Sequence, residues 1–299
     1  MRPSVFAHPR FPDYGLLDSG AGEKLERFGE LVLRRPDPQA LWRRRLSESA
    51  WAEAHLAFER DPASGGRRGR WLASPRAPAP PAWTIRWRDA TCLVRPTPFK
   101  HVGLFPEQAA NWAWTSALAG TLGDRPRLLN LFGYTGVASV VAAQAGYAVT
   151  HVDASRTSLA WTRENAAASG LAEDALRIVL DDCLAFARRE ARRGARYEGL
   201  LVDPPHHGRG PKGERWQLEE HLAPLLEACR ELLAPRGFLV LSAYSVGFSP
   251  LAFDNLLAEL EGGSVETGEL ALPEEPAPDA PQRLLPCGFC ARWVRGIEG

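Results

Sequence analysis

The sequence has no apolar run long enough to span a bilayer, so nothing in it indicates an integral membrane protein. Its first residues also lack the apolar core of a secretory signal peptide. These two absences favour a cytoplasmic protein without a membrane partner. With 299 residues, 45% hydrophobic and 24% charged, the composition is that of a globular enzyme with room for one large or two smaller domains.

Cysteine is scarce, and its five positions are scattered. An odd number of cysteines in a chain of this size argues against a disulfide framework. Cys287 and Cys290 form a single C-x-x-C spacing, but a zinc site needs a second pair of ligands, and no other Cys or His pair provides one. We therefore expect no metal, and we interpret Cys287 and Cys290 as buried thiols in a strand.

The sequence has no net charge, because 36 Lys and Arg residues balance 36 Asp and Glu residues. A strong and indiscriminate nucleic-acid binder is usually basic overall. Arginine is nevertheless locally dense, at residues 43–45, 67–70 and 188–193. Each cluster by itself is typical of a solvated surface, and together the clusters permit a phosphate-rich partner without demanding one.

Residues 1–100 carry short apolar stretches separated by turn residues, which predicts a small, mostly β domain. The segments 18–22 and 64–66 have the composition of hairpin tips. One helix is predicted over 38–58, and the proline- and alanine-rich stretch 74–81 is predicted to be a loop or linker.

Residues 101–299 show longer units in which strands alternate with helices, which predicts a parallel sheet covered on both faces. The last two predicted strands, 265–272 and 289–294, have no helix between them and should form a hairpin with one antiparallel strand. The other predicted strands span 128–132, 148–152, 176–180, 197–202 and 237–243. The predicted helices span 107–119, 137–145, 159–169, 183–193, 216–233 and 250–260.

The first strand of this region ends in the turn Gly133-Tyr134-Thr135-Gly136, before a helical pattern. Glycine lets the backbone approach a cofactor closely, and the helix N-terminus then faces the ligand. A purely steric role for these glycines is about as common. Asp153 ends the next strand, at the spacing where a carboxylate accepts hydrogen bonds from both ribose hydroxyls. The alternative for Asp153 is an N-cap of the helix that starts near Ser155.

Acidic residues also follow the third and fourth strands. Asp182 is placed to accept from an adenine amino group, although either it or Asp181 could simply cap the next helix. Asp203-Pro204-Pro205 offers hydrogen-bond acceptors without donors, on a stiff backbone. Asp203 and the Pro204 carbonyl could therefore hold an exocyclic amine while its lone pair faces a methyl group; an ordinary proline-terminated strand is the alternative. The combination favours methyl transfer from S-adenosylmethionine over hydride transfer from a nicotinamide.

A basic segment, 206–216, lies directly beyond this proline rim, and we expect it to be a loop. Its Arg209 and Lys212 are candidates for contact with substrate or phosphate, and His206 for contact with the substrate. Methylation of cytosine at carbon 5 needs a cysteine nucleophile. The fourth and fifth strand ends carry none, and Cys183 follows the third strand, beside the adenine position, so we disfavour that reaction.

The chain resembles the class I S-adenosylmethionine-dependent methyltransferases, in the bacterial branch related to the large-subunit ribosomal RNA methyltransferases RlmI and RlmK. The resemblance covers most of the chain. The matching segments are Leu16-Leu17-Asp18-Ser19-Gly20, Glu26-Arg27-Phe28-Gly29, Arg35-Pro36-Asp37-Pro38-Gln39-Ala40, Gly103-Leu104-Phe105-Pro106-Glu107-Gln108-Ala109, Asn130-Leu131-Phe132-Gly133-Tyr134-Thr135-Gly136, Val152-Asp153-Ala154-Ser155, Asp203-Pro204-Pro205 and Gly208-Arg209-Gly210-Pro211-Lys212-Gly213-Glu214.

The resemblance implies an α/β fold: a Rossmann-like, seven-stranded sheet with an antiparallel last strand, behind a small N-terminal β domain. It implies that Phe132, Gly133, Tyr134, Thr135 and Gly136 wrap the methionine part of the cofactor, with Asn130 in the strand before them. It further implies that Asp153 and Ala154 hold the ribose, that Asp182 holds the adenine, that Gln108 lies near the cofactor and that Asp203 faces the methyl group.

The sequence departs from that branch at three points. His206 stands where aromatic or basic residues are usual, Ala243 or Tyr244 stands near the cysteine position of members that methylate cytosine carbon, and their extra N-terminal RNA-binding module has no counterpart here. The ribosomal RNA target is therefore not transferred with the resemblance alone.

The leading hypothesis is an S-adenosylmethionine-dependent methyltransferase that acts on RNA, with ribosomal RNA as the first candidate and a nitrogen as the acceptor. Three alternatives stay open at this point. They are a methyltransferase of protein or small molecules, an NAD-dependent oxidoreductase, and an inert RNA-binding relic. The sequence does not indicate an oligomeric state.

Overall fold

The computed structural model describes residues 4–7, 11–64, 68–75, 80–244, 248–276 and 281–297. The described residues form two compact units. The sheet unit comprises those within 1–6, 110–270 and 288–299, and the small unit comprises those within 7–109 and 271–287. Residues 65–66 of the expected hairpin tip and residues 76–79 of the linker expected at 74–81 lie outside the described residues.

The first part of the chain is rich in β-structure, as expected. Its elements are β1 (Ser4–Ala7), β2 (Tyr14–Gly20), β3 (Glu23–Phe28), β4 (Leu31–Pro36), α1 (Glu48–Ala52), β5 (Leu56–Arg60), β6 (Gly69–Ala73), β7 (Trp83–Trp87) and β8 (Ala90–Val94). Five of the strands form a sheet in the order β2-β3-β4-β5-β6, and β7 pairs with β8 as a separate hairpin.

The helix predicted over 38–58 is wrong except at its centre, where α1 lies, and the end of that range forms β5. Backbone groups before α1 already have other partners. The Trp42 carbonyl accepts from the Ala21 amide at 2.7 Å, and the two amides before Ser47 donate to Asp18. Helix formation would break these bonds, so α1 begins only after Ser47, whose hydroxyl caps it.

Asp18 is a fully buried strand residue and does not lie at the hairpin tip, which is formed by Ala21 and Gly22. Its carboxylate accepts from the Arg283 guanidinium at 2.7 Å and from the Trp51 indole at 2.9 Å, besides backbone amides. This single charge therefore joins parts of the small unit that are far apart in sequence. A buried carboxylate with complete hydrogen bonding is tolerated, whereas its partners become costly once it is removed.

The later elements alternate between strands and helices. They are α2 (Ala109–Leu118), β9 (Arg127–Leu131), α3 (Val137–Gln144), β10 (Ala148–Asp153), α4 (Arg156–Ala168), β11 (Leu176–Leu180), α5 (Cys183–Arg192), β12 (Tyr197–Val202), β13 (His207–Arg209), β14 (Arg215–Gln217), α6 (Leu218–Leu232), β15 (Leu233–Ala243), α7 (Pro250–Ala258), β16 (Ser264–Pro273) and β17 (Leu284–Arg295). Among the described helices, none combines the length and apolarity needed to cross a membrane.

The main sheet has the order β1-β16-β17-β15-β12-β9-β10-β11. The strands β9, β10, β11, β12 and β15 pair in parallel, and β17 runs antiparallel to β15, as predicted. The sheet has eight described strands instead of seven, because Ser4–Ala7 adds an edge strand beside β16. The expectation missed it because a four-residue segment carries almost no periodicity.

The core of the sheet unit comes from apolar strand residues. Leu129 in β9, Val152 in β10 and Leu200 in β12 are all 0% exposed, as expected for strands covered on both faces. His151 in β10 is an exception, because it is polar and equally buried. Burial, together with the positive charge of Arg163, lowers the pKa of His151 to about 3, so the imidazole is neutral in the folded protein.

We expect Asp18→Ala to lower the free energy of unfolding by about 2–3 kcal/mol, because it leaves the Trp51 indole and the Leu46 amide without their buried acceptor, whereas Arg283 keeps its ion pair with Glu274. Denaturant unfolding measures the change. The matched control is Glu59→Ala, which breaks an exposed ion pair with Arg70 and should cost less than about 1 kcal/mol. Equal losses in the two variants would contradict a special role for Asp18.

We expect the free energy of unfolding to fall as the pH is lowered from about 6.5 towards 3, by up to about 1.4 kcal/mol per pH unit from His151, because only the unfolded chain binds its proton there. Burial also lowers the pKa of His101 to about 3, so His101 adds a similar slope. Urea unfolding should therefore show a shallower pH slope for His151→Gln than for the wild type. Replacing the exposed His207 by Gln controls for loss of a histidine as such. An unchanged slope in His151→Gln would refute the assignment.

Candidate functional site

Four neighbouring parallel strands end at one edge of the main sheet. Leu131 of β9 pairs in register with Val152 of β10 and with Val202 of β12, and Asp153 pairs with Leu180 of β11. Because the carboxyl ends of parallel strands share an edge, the residues that follow them come together there. The predicted site residues at this edge are Phe132, Gly133, Tyr134, Thr135, Gly136, Asp153, Ala154, Asp182, Asp203, Pro204, Pro205 and His206.

The loop between β9 and α3 has an unusual backbone. Phe132 and Tyr134 have φ of +57° and +52°, and Gly136 has φ of +79°. The left-handed region is unfavourable for residues with a side chain, at a cost of about 1–3 kcal/mol each. Surrounding contacts must therefore hold this loop, which we call the cofactor loop (residues 132–136), in its conformation.

Both glycines of the cofactor loop are sterically required. A Cβ on Gly133 would overlap the imidazole of His151, and a Cβ on Gly136 would overlap the side chain of Thr162. Gly136 is also the N-cap of α3, so the amides of the first turn of that helix begin at this edge. The steric and the ligand-binding interpretations of the G-x-x-G turn are therefore compatible. The glycines pack against His151 and Thr162, and the first-turn amides of α3 begin at the edge of the sheet.

Asp153 ties the cofactor loop to β10. Its Oδ2 accepts from the Tyr134 amide at 2.9 Å, and its Oδ1 accepts from the Ser155 amide at 2.8 Å. The helix cap at this point is Ser155, which accepts from the Ser158 amide, so Asp153 is not the N-cap. Burial raises the pKa of Asp153, and the hydrogen bonds from the backbone oppose that shift.

The two acids after β11 have different partners. Asp182 caps α5 by accepting from the Ala185 amide at 2.8 Å through Oδ1. Asp181 uses Oδ2 in an ion pair with Arg189 at 2.6 Å, and its Oδ1 accepts the amide of Asp182. Within the described ranges, Oδ2 of Asp182 accepts no hydrogen bond. Of the two, Asp182 is therefore the acid with an oxygen left for a ligand.

The Asp203-Pro204-Pro205 rim after β12 is fixed by Trp216, which the sequence analysis did not single out. The Trp216 indole donates to the Pro205 carbonyl at 2.7 Å, and its ring lies 4.7 Å from the ring of Phe132 in the cofactor loop. Trp216 is only 3% exposed. It thus holds the rim and the cofactor loop together. Its isolated position in the sequence contains no signal for this contact.

The segment 206–216 is not the loop we expected, and Trp216 does not begin a helix. Instead β13 and β14 form an antiparallel hairpin in which Arg209 pairs with Arg215, and α6 begins at Leu218. Glu214 closes the turn by accepting from the Lys212 amide at 2.8 Å. The side chains of Arg209, Lys212 and Arg215 are exposed. We call this hairpin, residues 207–217, the arginine hairpin.

His206 is exposed and lies beside the arginine hairpin. Its Nε2 is 2.6 Å from Oε1 of Glu219, and its ring centroid is 4.0 Å from that of His207, with the two rings tilted by 42°. The contact with Glu219 uses one imidazole nitrogen of His206. In the part of the chain that the structure describes, no group of three potential ligands is arranged to hold a metal ion.

A chain of buried polar side chains lies beneath the cofactor loop. The Asn130 amide donates to Ser139 Oγ at 2.9 Å, which lies 2.9 Å from Nδ1 of His151. His151 Nε2 lies 3.2 Å from Thr162 Oγ1. The Thr162 hydroxyl in turn lies 3.0 Å from the carbonyl oxygen of Tyr134, which can accept its proton. Asn130 is therefore buried below the loop rather than at the open edge. The other side chains of this chain carry no signal in the sequence, because each occupies an ordinary strand or helix position.

Two other predicted cofactor residues have identifiable places. Thr135 is buried, and its carbonyl accepts from the Asn165 amide at 2.8 Å, so it is a second anchor of the cofactor loop. Gln108 belongs to the small unit, where it ends the single 3-10 turn Pro106–Gln108 before α2. The helix predicted from residue 107 therefore begins as this tighter turn.

Comparison with known proteins identifies relatives at the level of the whole chain. No protein-family model matches the sequence. A crystal structure of an S-adenosylmethionine-dependent methyltransferase from Agrobacterium tumefaciens is 40% identical, with a TM-score of 0.92 over 98% of this chain and 93% of that one. A methyltransferase structure from Streptococcus mutans shares the fold at 18% identity, with a TM-score of 0.70 over 96% and 76% of the two chains.

Curated relatives match a shorter stretch. The ribosomal RNA large subunit methyltransferase K/L of Desulfotalea psychrophila is 38% identical over 135 residues, which are 44% of this chain and 18% of that protein. The match to the protein of the same name from a Shewanella strain also covers 18% of its length, so the chain spans about a fifth of these relatives. The near-complete match to the Agrobacterium enzyme, in contrast, covers both units and removes the nicotinamide alternative. The chain belongs to the S-adenosylmethionine-dependent methyltransferases.

Proposed function

We propose that this methyltransferase modifies a base nitrogen in RNA, with ribosomal RNA as the first candidate. The observation that carries the choice of acceptor is the arginine hairpin, which places Arg209 opposite Arg215 directly beyond the proline rim. Two like charges at a cross-strand pair destabilise a hairpin, and among the described residues Arg215 is compensated only by an exposed and distant pair with Glu220, at 3.8 Å. A phosphate between the two arginines would offset the remaining repulsion. The curated relatives named as ribosomal RNA methyltransferases support ribosomal RNA as the source of that phosphate.

The arrangement of the edge fits S-adenosylmethionine. We assign the backbone of the cofactor loop to its amino-acid part, Asp153 with Ala154 to the ribose, and Asp182 to the adenine. Each oxygen of Asp153 already accepts one backbone amide, and a carboxylate oxygen accepts more than one hydrogen bond, so ribose hydroxyls can be added. Asn130 acts from below through Ser139, and the role of Gln108 stays a prediction.

The rim positions the acceptor. S-adenosylmethionine supplies a methyl group that its sulfonium already activates. The protein therefore contributes mainly alignment. We assign Asp203, at the end of β12, and the carbonyl of Pro204 to the N–H groups of the acceptor. Because the Pro205 carbonyl is engaged by Trp216, the rim offers a fixed set of acceptors rather than a pliable one.

The thiols of the sheet unit support a reaction without a cysteine nucleophile. Cys183 is buried and accepts the Phe132 amide at 3.2 Å, and burial raises its pKa well above the usual value. Cys290 pairs in register with Ser242 near the end of β15, but it is fully buried, and burial raises its pKa to about 11. Because the thiolate is the nucleophile, neither residue has the character that carbon-5 methylation requires.

The other arginine clusters contribute less to the RNA proposal. Within the described ranges, Arg44 pairs with Glu23, and Arg189 pairs with Asp181, so these side chains already have structural partners. Arg67 lies outside the described residues.

We propose residues 1–100 as an acceptor-binding domain and residues 101–299 as the catalytic domain.

We expect purified protein to transfer labelled methyl groups from S-adenosylmethionine to ribosomal RNA from a strain that lacks the gene. Asp203→Asn should lower the transfer rate by about 100-fold, because alignment of the amine is lost, and should leave cofactor binding intact. Asp153→Asn should instead weaken cofactor binding by about 10-fold or more, because its amide cannot accept as two carboxylate oxygens do.

Nucleoside mass spectrometry of the labelled RNA identifies the modified atom. A nitrogen-methylated base supports the proposal, whereas 5-methylcytosine contradicts the nitrogen acceptor. Labelling of protein or small molecules in place of RNA would move the acceptor to another class. Cofactor binding without any transfer would point to an inert RNA-binding relic.

We expect the double variant Arg209→Ala with Arg215→Ala to raise KM for RNA, because two phosphate contacts are lost. The slope of log K against log salt should decrease by about 1.4, the value for two contacts to single-stranded RNA. The control is Arg230→Ala on α6, an exposed arginine paired with Glu227. An equal rise in KM for both variants, or an unchanged salt slope, would contradict the assignment of the hairpin.

A further inference from the structure

His151 is enclosed beneath the cofactor loop and makes a hydrogen bond with each nitrogen of its ring. It is 0% exposed, and its imidazole fills the space that a side chain on Gly133 would need. Nδ1 lies 2.9 Å from Ser139 Oγ, and Nε2 lies 3.2 Å from Thr162 Oγ1. No step of the methyl transfer proposed above uses this residue, yet β10 carries it in the middle of an apolar core.

The chemistry of the partners determines which way the protons point. An amide nitrogen only donates, so Asn130 donates to Ser139. Thr162 Oγ1 lies 3.0 Å from two carbonyl oxygens, those of Tyr134 and Ser158, so its one proton goes to a carbonyl. Thr162 must then accept from the Nε2–H of His151.

The remaining ring nitrogen completes the chain. Because a neutral imidazole has one donor and one acceptor, Nδ1 of His151 accepts the Ser139 hydroxyl proton. The donors therefore all run in one direction, from Asn130 through Ser139 and His151 to Thr162, whose one proton is shared between the Ser158 carbonyl and the Tyr134 carbonyl of the cofactor loop. We call these four side chains the imidazole relay.

The relay ends where the backbone is most strained. The carbonyl of Tyr134 belongs to a residue with φ of +52°. The amide of the same residue donates to Asp153, so one peptide unit on each side of Tyr134 is within hydrogen-bond distance of a side chain. A residue in this conformation stays there only when its surroundings over-determine it.

We propose that His151 is a positioning residue, which acts through Thr162 to hold the cofactor loop in the shape that recognises the amino-acid part of S-adenosylmethionine. The inference rests on the proposed assignment of residues 132–136 to that part of the cofactor. It adds a residue that touches neither cofactor nor acceptor, and it makes ligand discrimination depend on a neutral imidazole.

The relay also explains why an asparagine, Asn130, stands in β9 at this position. An acid at this position would have no proton to donate to Ser139, and the direction of the chain would reverse at its first link. The carboxamide supplies the donor without adding a charge to a core in which His151 and Ser139 are both 0% exposed.

The test compares two ligands that differ only in the amino-acid part. S-adenosylhomocysteine carries it, and 5′-methylthioadenosine lacks it, while both contain the adenosine and the sulfur. Isothermal titration of the full chain measures both affinities. Thr162→Val removes the hydroxyl and keeps the branched shape. It should raise the Kd for S-adenosylhomocysteine about tenfold, the effect of one buried hydrogen bond, and change that for methylthioadenosine by less than about twofold.

Two further variants separate positioning from folding. Thr162→Ser keeps the hydroxyl and should bind both ligands like the wild type. Ser139→Ala breaks the relay on the other side of His151 and should reproduce the selective loss at smaller size. A purely structural role would weaken both ligands together, in step with the free energy of unfolding.

The outcomes distinguish this inference from the function on which it rests. Equal weakening of both ligands by Thr162→Val, or a Thr162→Ser variant as weak as Thr162→Val, would overturn the relay and leave the proposed function standing. A wild-type protein that binds both ligands equally well would overturn the assignment of the cofactor loop, and the relay with it.

Discussion

The left-handed backbone of the cofactor loop is the constraint on which the site depends. Phe132 and Tyr134 occupy a region that residues with side chains avoid, so each must be held from outside. The Cys183 sulfur accepts a hydrogen bond from the Phe132 amide, and the Asp153 carboxylate accepts one from the Tyr134 amide. The loop is thus the point where three neighbouring strand ends are tied together.

This arrangement links functions that are separate in the chemistry. Asp153 is assigned to the ribose, yet it also accepts the amide of Tyr134 in the cofactor loop. Trp216 donates to the proline rim, yet its ring also packs on Phe132. Residues that share a partner in this way are not independent, so their substitutions should not be additive. Double variants across the loop therefore carry more information than single ones.

The strand ends of the sheet were predictable because their signals are local. The alternation of apolar runs with helical periods indicates a parallel sheet, and an acid or glycine that directly follows a run must lie at its carboxyl edge. Gly133, Asp153, Asp182 and Asp203 were found in this way. The two errors have different causes. The segment 38–58 uses its backbone for the β2–β3 turn, which is distant in sequence, and the hairpin in 206–216 has strands of only three residues, too short to show a periodicity.

The sequence by itself determined the class of fold and predicted which acids and glycines lie at the carboxyl edge of the sheet, where the candidate site is proposed, since periodicity and strand-end position are properties of neighbouring residues. Only the tertiary structure decided that Ser155 rather than Asp153 caps α4, that the Trp216 indole donates to the Pro205 carbonyl and that His151 lies within hydrogen-bond distance of Thr162. Those contacts join residues from different strands and helices. Their geometry exists only after the elements pack, because a hydrogen bond depends on distance and direction in space rather than on spacing along the chain.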